Sequence, residues 1–226
     1  MRRTNQERNT ADIIKRLQAA SASERALILG IFAVLSALLS WELPPPDYLY
    51  ISHTPLPPAF WFGIVLCTGV ALWSSRSPLA LFAVLLATFV AWVAAVESTL
   101  RLQDSIEGQI VSLRPPAASL SGLTTPVINY VWGLCGMVGG MIGSAIVVFG
   151  VATVIKSLRT SNCWAPIILF GTIAGFFLEF AEVRTETGLF VHMSSLLPVF
   201  LVWQVGVAAL FAYNLAPPSS AAVRPL

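Results

Sequence analysis

Charged side chains are few in this sequence: 13 Lys or Arg and 11 Asp or Glu among 226 residues, 11% in all, where a soluble domain carries roughly 25%. A water-surrounded fold of this length would lack the polar groups to cover itself. The small net charge of +2 and the scatter of the basic residues leave no phosphate-tracking stripe, which excludes a nucleic-acid partner. Cysteine is almost as scarce, with Cys67, Cys135 and Cys163 alone. Three thiols in apolar settings cannot build a disulfide framework, and they read as small hydrophobes. The two histidines, His53 and His192, stand apart without a Cys, Asp or Glu at ligand spacing, so no metal site is expected.

Catalytic signatures are missing as well. No G-x-S-x-G elbow, H-E-x-x-H helix, phosphate loop or C-x-x-C pair occurs. No catalytic residue and no cofactor is therefore assigned. The first 25 residues are polar, and the first apolar run ends in Trp41, Glu42 and Leu43 instead of a small-residue cleavage site, so the first helix is expected to stay in the mature protein.

What the sequence has in excess is apolar surface, 56% hydrophobic residues with a mean hydropathy of +0.78. The bilayer is the solvent that suits it. Six apolar runs, 26–41, 58–73, 78–96, 127–155, 164–181 and 193–213, predict an all-α integral membrane protein, a bundle of six transmembrane helices filling residues 26–213. The first two are a little short of the roughly 20 residues needed to cross, and the fourth is longer than needed, so it must tilt or project.

Segments outside the runs carry their own patterns. The basic tail 1–25 places Ile13, Ile14 and Leu17 on one face, which predicts an amphipathic helix on the inner surface. The connection after the third run carries Leu102, Ile106, Ile110 and Leu113 at helical spacing, predicting a second, separate surface helix that ends at Pro115 and Pro116. Between the first two runs the prolines at 44, 45, 46, 55, 57 and 58 predict a stiff connector that is neither helix nor strand. Residues 214–226 read as a disordered tail.

Orientation follows from Lys and Arg. With the N-terminus inside, the inner segments hold Arg2, Arg3, Arg8, Lys15, Arg16, Arg25, Arg76, Lys156, Arg159 and Arg224, whereas the outer ones hold Arg101, Arg114 and Arg184. This positive-inside asymmetry places both termini in the cytoplasm of a cell membrane, a bacterial inner membrane by this reading.

A few residues within the runs could carry function. Gly133, Gly136, Gly140, Gly143 and Gly150 fall at heptad spacing, forming one seam on the fourth span, and Gly171 and Gly175 on the fifth span form a small-xxx-small counterpart. Helix packing is the expected role; lining a ligand or permeation path is the alternative. Glu179 lies within Phe176-Phe177-Leu178-Glu179-Phe180-Ala181, either as a desolvated acid or as a carboxylate at the outer interface. Gln204 and Asn129 are expected to hydrogen-bond across helices, and Pro198 to kink the sixth span.

The functional expectation is a non-catalytic accessory protein or complex subunit, acting by packing against a membrane-protein partner or a second copy within the lipid bilayer. A small-solute or ion transporter, with Glu179, Gln204 and Asn129 on its path, is the first alternative. A membrane enzyme acting on lipid or quinone is the second, and would need a pocket joining Glu179 or Glu97 to a histidine.

Overall fold

The computed structural model describes residues 5–42, 50–51, 54–74, 77–112, 125–180 and 196–215. Its regular structure is helical apart from one short hairpin. In chain order the elements are α1 (Asn5–Gln18), α2 (Ala22–Glu42), β1 (Tyr50–Ile51), β2 (Thr54–Pro55), α3 (Pro57–Trp73), α4 (Pro78–Ser112), α5 (Thr125–Ala152), α6 (Ser161–Gly175) and α7 (Leu197–Asn214), with single 3-10 turns at Lys156–Arg159 and Phe176–Phe180. Five helices, α2 and α4 to α7, are long and apolar enough to cross a membrane, the fifth run reaching 18 residues only when the turn after α6 is included. α3 is equally apolar but has 17 residues, about 25 Å of helix.

Packing follows the chain. α2 lies against α3, α3 against α4, α4 against α5, α5 against α6 and α6 against α7, and an extensive α2–α7 contact closes the ring. The core inside is formed by Leu29, Phe62, Leu66, Trp73, Val147, Val151, Trp203, Val207 and Phe211, among others.

Several element boundaries differ from those expected, each for an identifiable reason. α2 begins at Ala22, four residues before the apolar run, because Ser21 and Glu24 form a capping box. The Ser21 backbone N–H donates to Glu24 Oε2 at 2.7 Å, and the Glu24 N–H donates to Ser21 Oγ at 3.3 Å. Two orphan N–H groups at the helix start are thereby satisfied. α1 is a helix as the Ile13, Ile14 and Leu17 pattern predicted, and the Trp73 indole N–H donates to the Leu17 carbonyl at 2.7 Å, tying α1 to the end of α3.

The separate surface helix expected after the third run is instead the continuation of α4, a single helix of 35 residues. Nothing between Ala95 and Gly108 interrupts it. The Ser98 and Thr99 hydroxyls fold back onto the Ala95 carbonyl, and Glu97 pairs with Arg101 one turn on, at 3.8 Å. Leu102 and Ile106 are half-buried on this extension; the Ile110 side chain and Leu113 lie outside the described residues.

The proline-rich connector also contains structure that proline content argued against. Tyr50 pairs with Pro55 and Ile51 with Thr54 in an antiparallel hairpin. A proline is tolerated in a pairing this short because each strand has a free edge and only a single partner. The Pro55 carbonyl accepts the Trp92 indole N–H at 2.6 Å, and the Thr54 hydroxyl donates to Glu97 Oε1 at 3.3 Å, fixing the hairpin on α4.

At the other end of the chain, Pro198 lies in the first turn of α7, where its N–H would have had no partner, so it starts the helix and does not kink it. The fifth run is not one α-helix, since it turns from α6 to 3-10 geometry at Phe176.

Candidate functional site

The glycines of α5 do not form one seam. At 3.6 residues per turn, positions 17 residues apart, such as Gly133 and Gly150, point roughly 100° apart around a straight helix, wide enough to meet two neighbours. Gly136 and Gly140 face α6: a Cβ at Gly136 would run into the Gly175 carbonyl, and one at Gly140 into the Gly171 carbonyl. Gly143 and Gly150, with Gly139, face α4 instead. A Cβ at Gly143 would lie 3.1 Å from Ala95 Cβ, one at Gly150 would lie 2.6 Å from Ala87 Cβ, and one at Gly139 would meet Thr99. Gly133 is buried. The matching surface on α4, Ala87, Ala91, Ala95 and Thr99, was missed in the sequence although its four-residue spacing is plain once sought. These contacts bring three backbones close enough for dispersion and weak Cα–H···O interactions to hold them in a medium that gives no hydrophobic drive between helices.

Polar side chains within the apolar helices mostly satisfy themselves. The hydroxyls of Ser40, Thr68, Thr88, Ser144 and Thr172 each donate to the carbonyl four residues back on their own helix, at 2.6 to 2.8 Å. Local bonding of this kind removes a polar atom from its apolar surroundings without calling on a neighbour.

Gln204 behaves differently. It is 1% exposed, and its Oε1 accepts the Ser36 hydroxyl of α2 at 2.8 Å, across the α2–α7 contact that closes the ring. A double-mutant cycle on Ser36→Ala and Gln204→Leu is expected to show a coupling of about 0.6 to 1.7 kcal/mol. Unfolding in detergent measures it, and strictly additive losses would mean that the bond contributes nothing.

Beside Gln204, the Trp203 indole packs on Phe62 of α3 with ring centroids 5.2 Å apart, and its Cζ2 reaches the face of Gly143 on α5. Trp203 Nε1 is buried without an acceptor, as is Trp132 Nε1 on α5. Trp203 thus stands where α3, α4, α5 and α7 converge, next to Gln204, which bridges to α2. Neither Trp203 nor Ser36 was singled out from the sequence, because tryptophan and serine occur throughout the apolar runs and only the packing distinguishes these two.

Glu179 lies on the 3-10 turn after α6 and Asn129 near the start of α5, and the side chains of both lie outside the described residues, as do His53 and His192. Glu97, held by Thr54 and Arg101, is on the part of α4 beside the hairpin. Among the described residues no three His, Cys, Asp or Glu side chains converge on a point that could hold a metal. A groove of about 350 Å³ lies between α4, α5 and α6, lined by Leu102, Ile106, Leu134, Met137, Met141 and Thr172. Its lone hydroxyl, that of Thr172, is already donated to the Ile168 carbonyl, so the lining suits hydrocarbon and offers no polar recognition. Comparison of the chain with protein-family models, curated proteins and solved structures finds no match.

Proposed function

We propose that the chain is a six-span protein of a cell membrane, with both termini in the cytoplasm, that acts without catalysis as an accessory component or subunit of a membrane complex. The observation that carries the reading is the destination of Gln204, the most buried amide in α7, whose acceptor oxygen is taken by a neighbouring helix where a solute would need it. The self-bonded hydroxyls and the glycine contacts point the same way: side chains that a transport path would expose are engaged in packing.

The six-span count rests on α3, whose place between α2 and α4 in the ring requires it to run alongside both. Local thinning or flanking residues can make up for its short length. The orientation rests on the charge asymmetry. Cysteines introduced at Ser74 and Ser161 in intact cells are expected to be shielded from an impermeant thiol reagent, and one at Ser112 to react. Labelling of the first two with silence at the third would invert the topology.

For the function itself, isolation in mild detergent is expected to recover a stoichiometric membrane-protein partner. Recovery of the chain alone, with solute flux in proteoliposomes, would overturn the reading. A specific observation favours the second reading, a small-solute transporter: the buried Trp203 N–H without an acceptor is a donor a passing solute could use. Glu179→Gln compared with wild type in a flux assay across pH distinguishes the two, because only a proton-coupled path would lose its transport.

A further inference from the structure

Arg25 is buried, and no described residue neutralises its charge. Arg25 is 6% exposed, its Nε is buried with no hydrogen-bond partner, and the ion pair found among the described residues is Arg101 with Glu97. Glu24, adjacent in sequence, is already committed to Ser21. An arginine cannot escape by losing its proton, since its pKa lies far above any physiological pH, and its planar fork presents five donors. A buried charge of this kind calls for an anion.

Its position says which anion. Arg25 belongs to the first turn of α2, one turn before Leu29, which packs over Gly69 of α3 four residues from Trp73, where α1 is held. Immediately beyond Arg25 the apolar outer stripe begins, with Leu27 66% and Ile31 56% exposed. In a bilayer these two belong among acyl chains, so Arg25 lies at the boundary where headgroups sit. The last turn of α1, docked on the same end of α3, carries exposed Lys15 and Arg16, which add positive potential at that level.

The geometry points to Arg25 as the anchor of a phosphate-binding site for an anionic phospholipid headgroup, in the leaflet at the N-terminal end of α2. The guanidinium provides a bidentate fork for two phosphate oxygens, and Lys15 and Arg16 favour a headgroup with net negative charge over a zwitterionic one. The site stands whether the protein is an accessory subunit or a transporter.

The test uses the purified full chain in detergent, with thermal unfolding followed as dioctanoyl phosphatidylglycerol, dioctanoyl phosphatidylcholine or inorganic phosphate is added. Wild type is expected to be stabilised by phosphatidylglycerol at about tenfold lower concentration than by phosphatidylcholine, and Arg25→Gln is expected to lose that preference. Equal effects of the two lipids on wild type, or a full preference in Arg25→Gln, would overturn the site. An equal effect of inorganic phosphate would replace the lipid with a free anion. Should Arg25→Gln not fold, Arg25→Lys keeps the charge without the fork and is expected to weaken phosphatidylglycerol binding; unchanged affinity there would also overturn it.

Discussion

Replacing Gly140 with leucine is expected to destabilise the protein by about 1 to 3 kcal/mol or more, and to lower the amount of folded protein recovered from membranes. The side chain would have to occupy the space filled by the Gly171 carbonyl and the Gly175 Cα. Backbone cannot rotate aside as a long side chain can, so α5 and α6 would have to separate along their closest stretch. That stretch also holds Gly136 against Gly175, and Ser144 against Gly171, so separation at one level loosens the others. Ile142→Leu, at a half-buried position of α5 that faces neither glycine contact, should change stability little. Unfolding temperatures of the two variants in the same detergent provide the comparison; equal values would show that the helices do not meet as closely as described.

Truncating Trp203 to alanine should cost about 3 to 5 kcal/mol, since the indole fills the point where α3, α4, α5 and α7 converge and its loss leaves Phe62 and Gly143 without their contact. Trp203→Phe is the more informative change. It retains most of the aromatic packing and removes the buried N–H, whose lack of an acceptor carries a penalty of about 1 to 3 kcal/mol. If the donor has no function, the phenylalanine variant should be as stable as wild type or more so, and complex assembly should be unaffected. A solute that uses this N–H would instead bind more weakly to the variant, seen as reduced flux at unchanged folded amount. The two measurements together separate a packing residue from a path residue.

The glycine pairing shows how far periodicity carries and where it stops. Intervals of three and four residues identified the small face of α5, and Gly171 and Gly175 were legible as small-xxx-small partners. The assignment of all five glycines to one contact failed because a straight helix fans such a stripe across two neighbours, and which neighbour each glycine meets depends on how α4 and α6 flank α5. In the same way, Leu102 and Ile106 showed a helical stripe, yet whether that helix stood apart or continued α4 depended on the absence of a breaker after Ala95, which the charged residues of Glu97–Gln103 obscured. The Ser21–Glu24 capping box is legible in its S-x-x-E spacing, and it starts α2 ahead of the apolar run because a helix begins where its first N–H groups are satisfied.

The sequence by itself determined the solvent and the backbone class: with so little charge and so much apolar surface, the chain calls for a bilayer, and every backbone polar group must then be satisfied within helices. It also determined which helix faces are small, because glycine and alanine spacing is a local property. Only the tertiary structure decided that α7 returns to α2, that Ser36 is the residue opposite Gln204, that Trp203 occupies the convergence point, and that Arg25 is buried without a counter-charge among the described residues. These are contacts between residues distant in the chain, Ser36 and Gln204 being 168 positions apart, and no local pattern specifies them, since a hydroxyl, an indole or a guanidinium has the same local preferences whichever helix it comes to face.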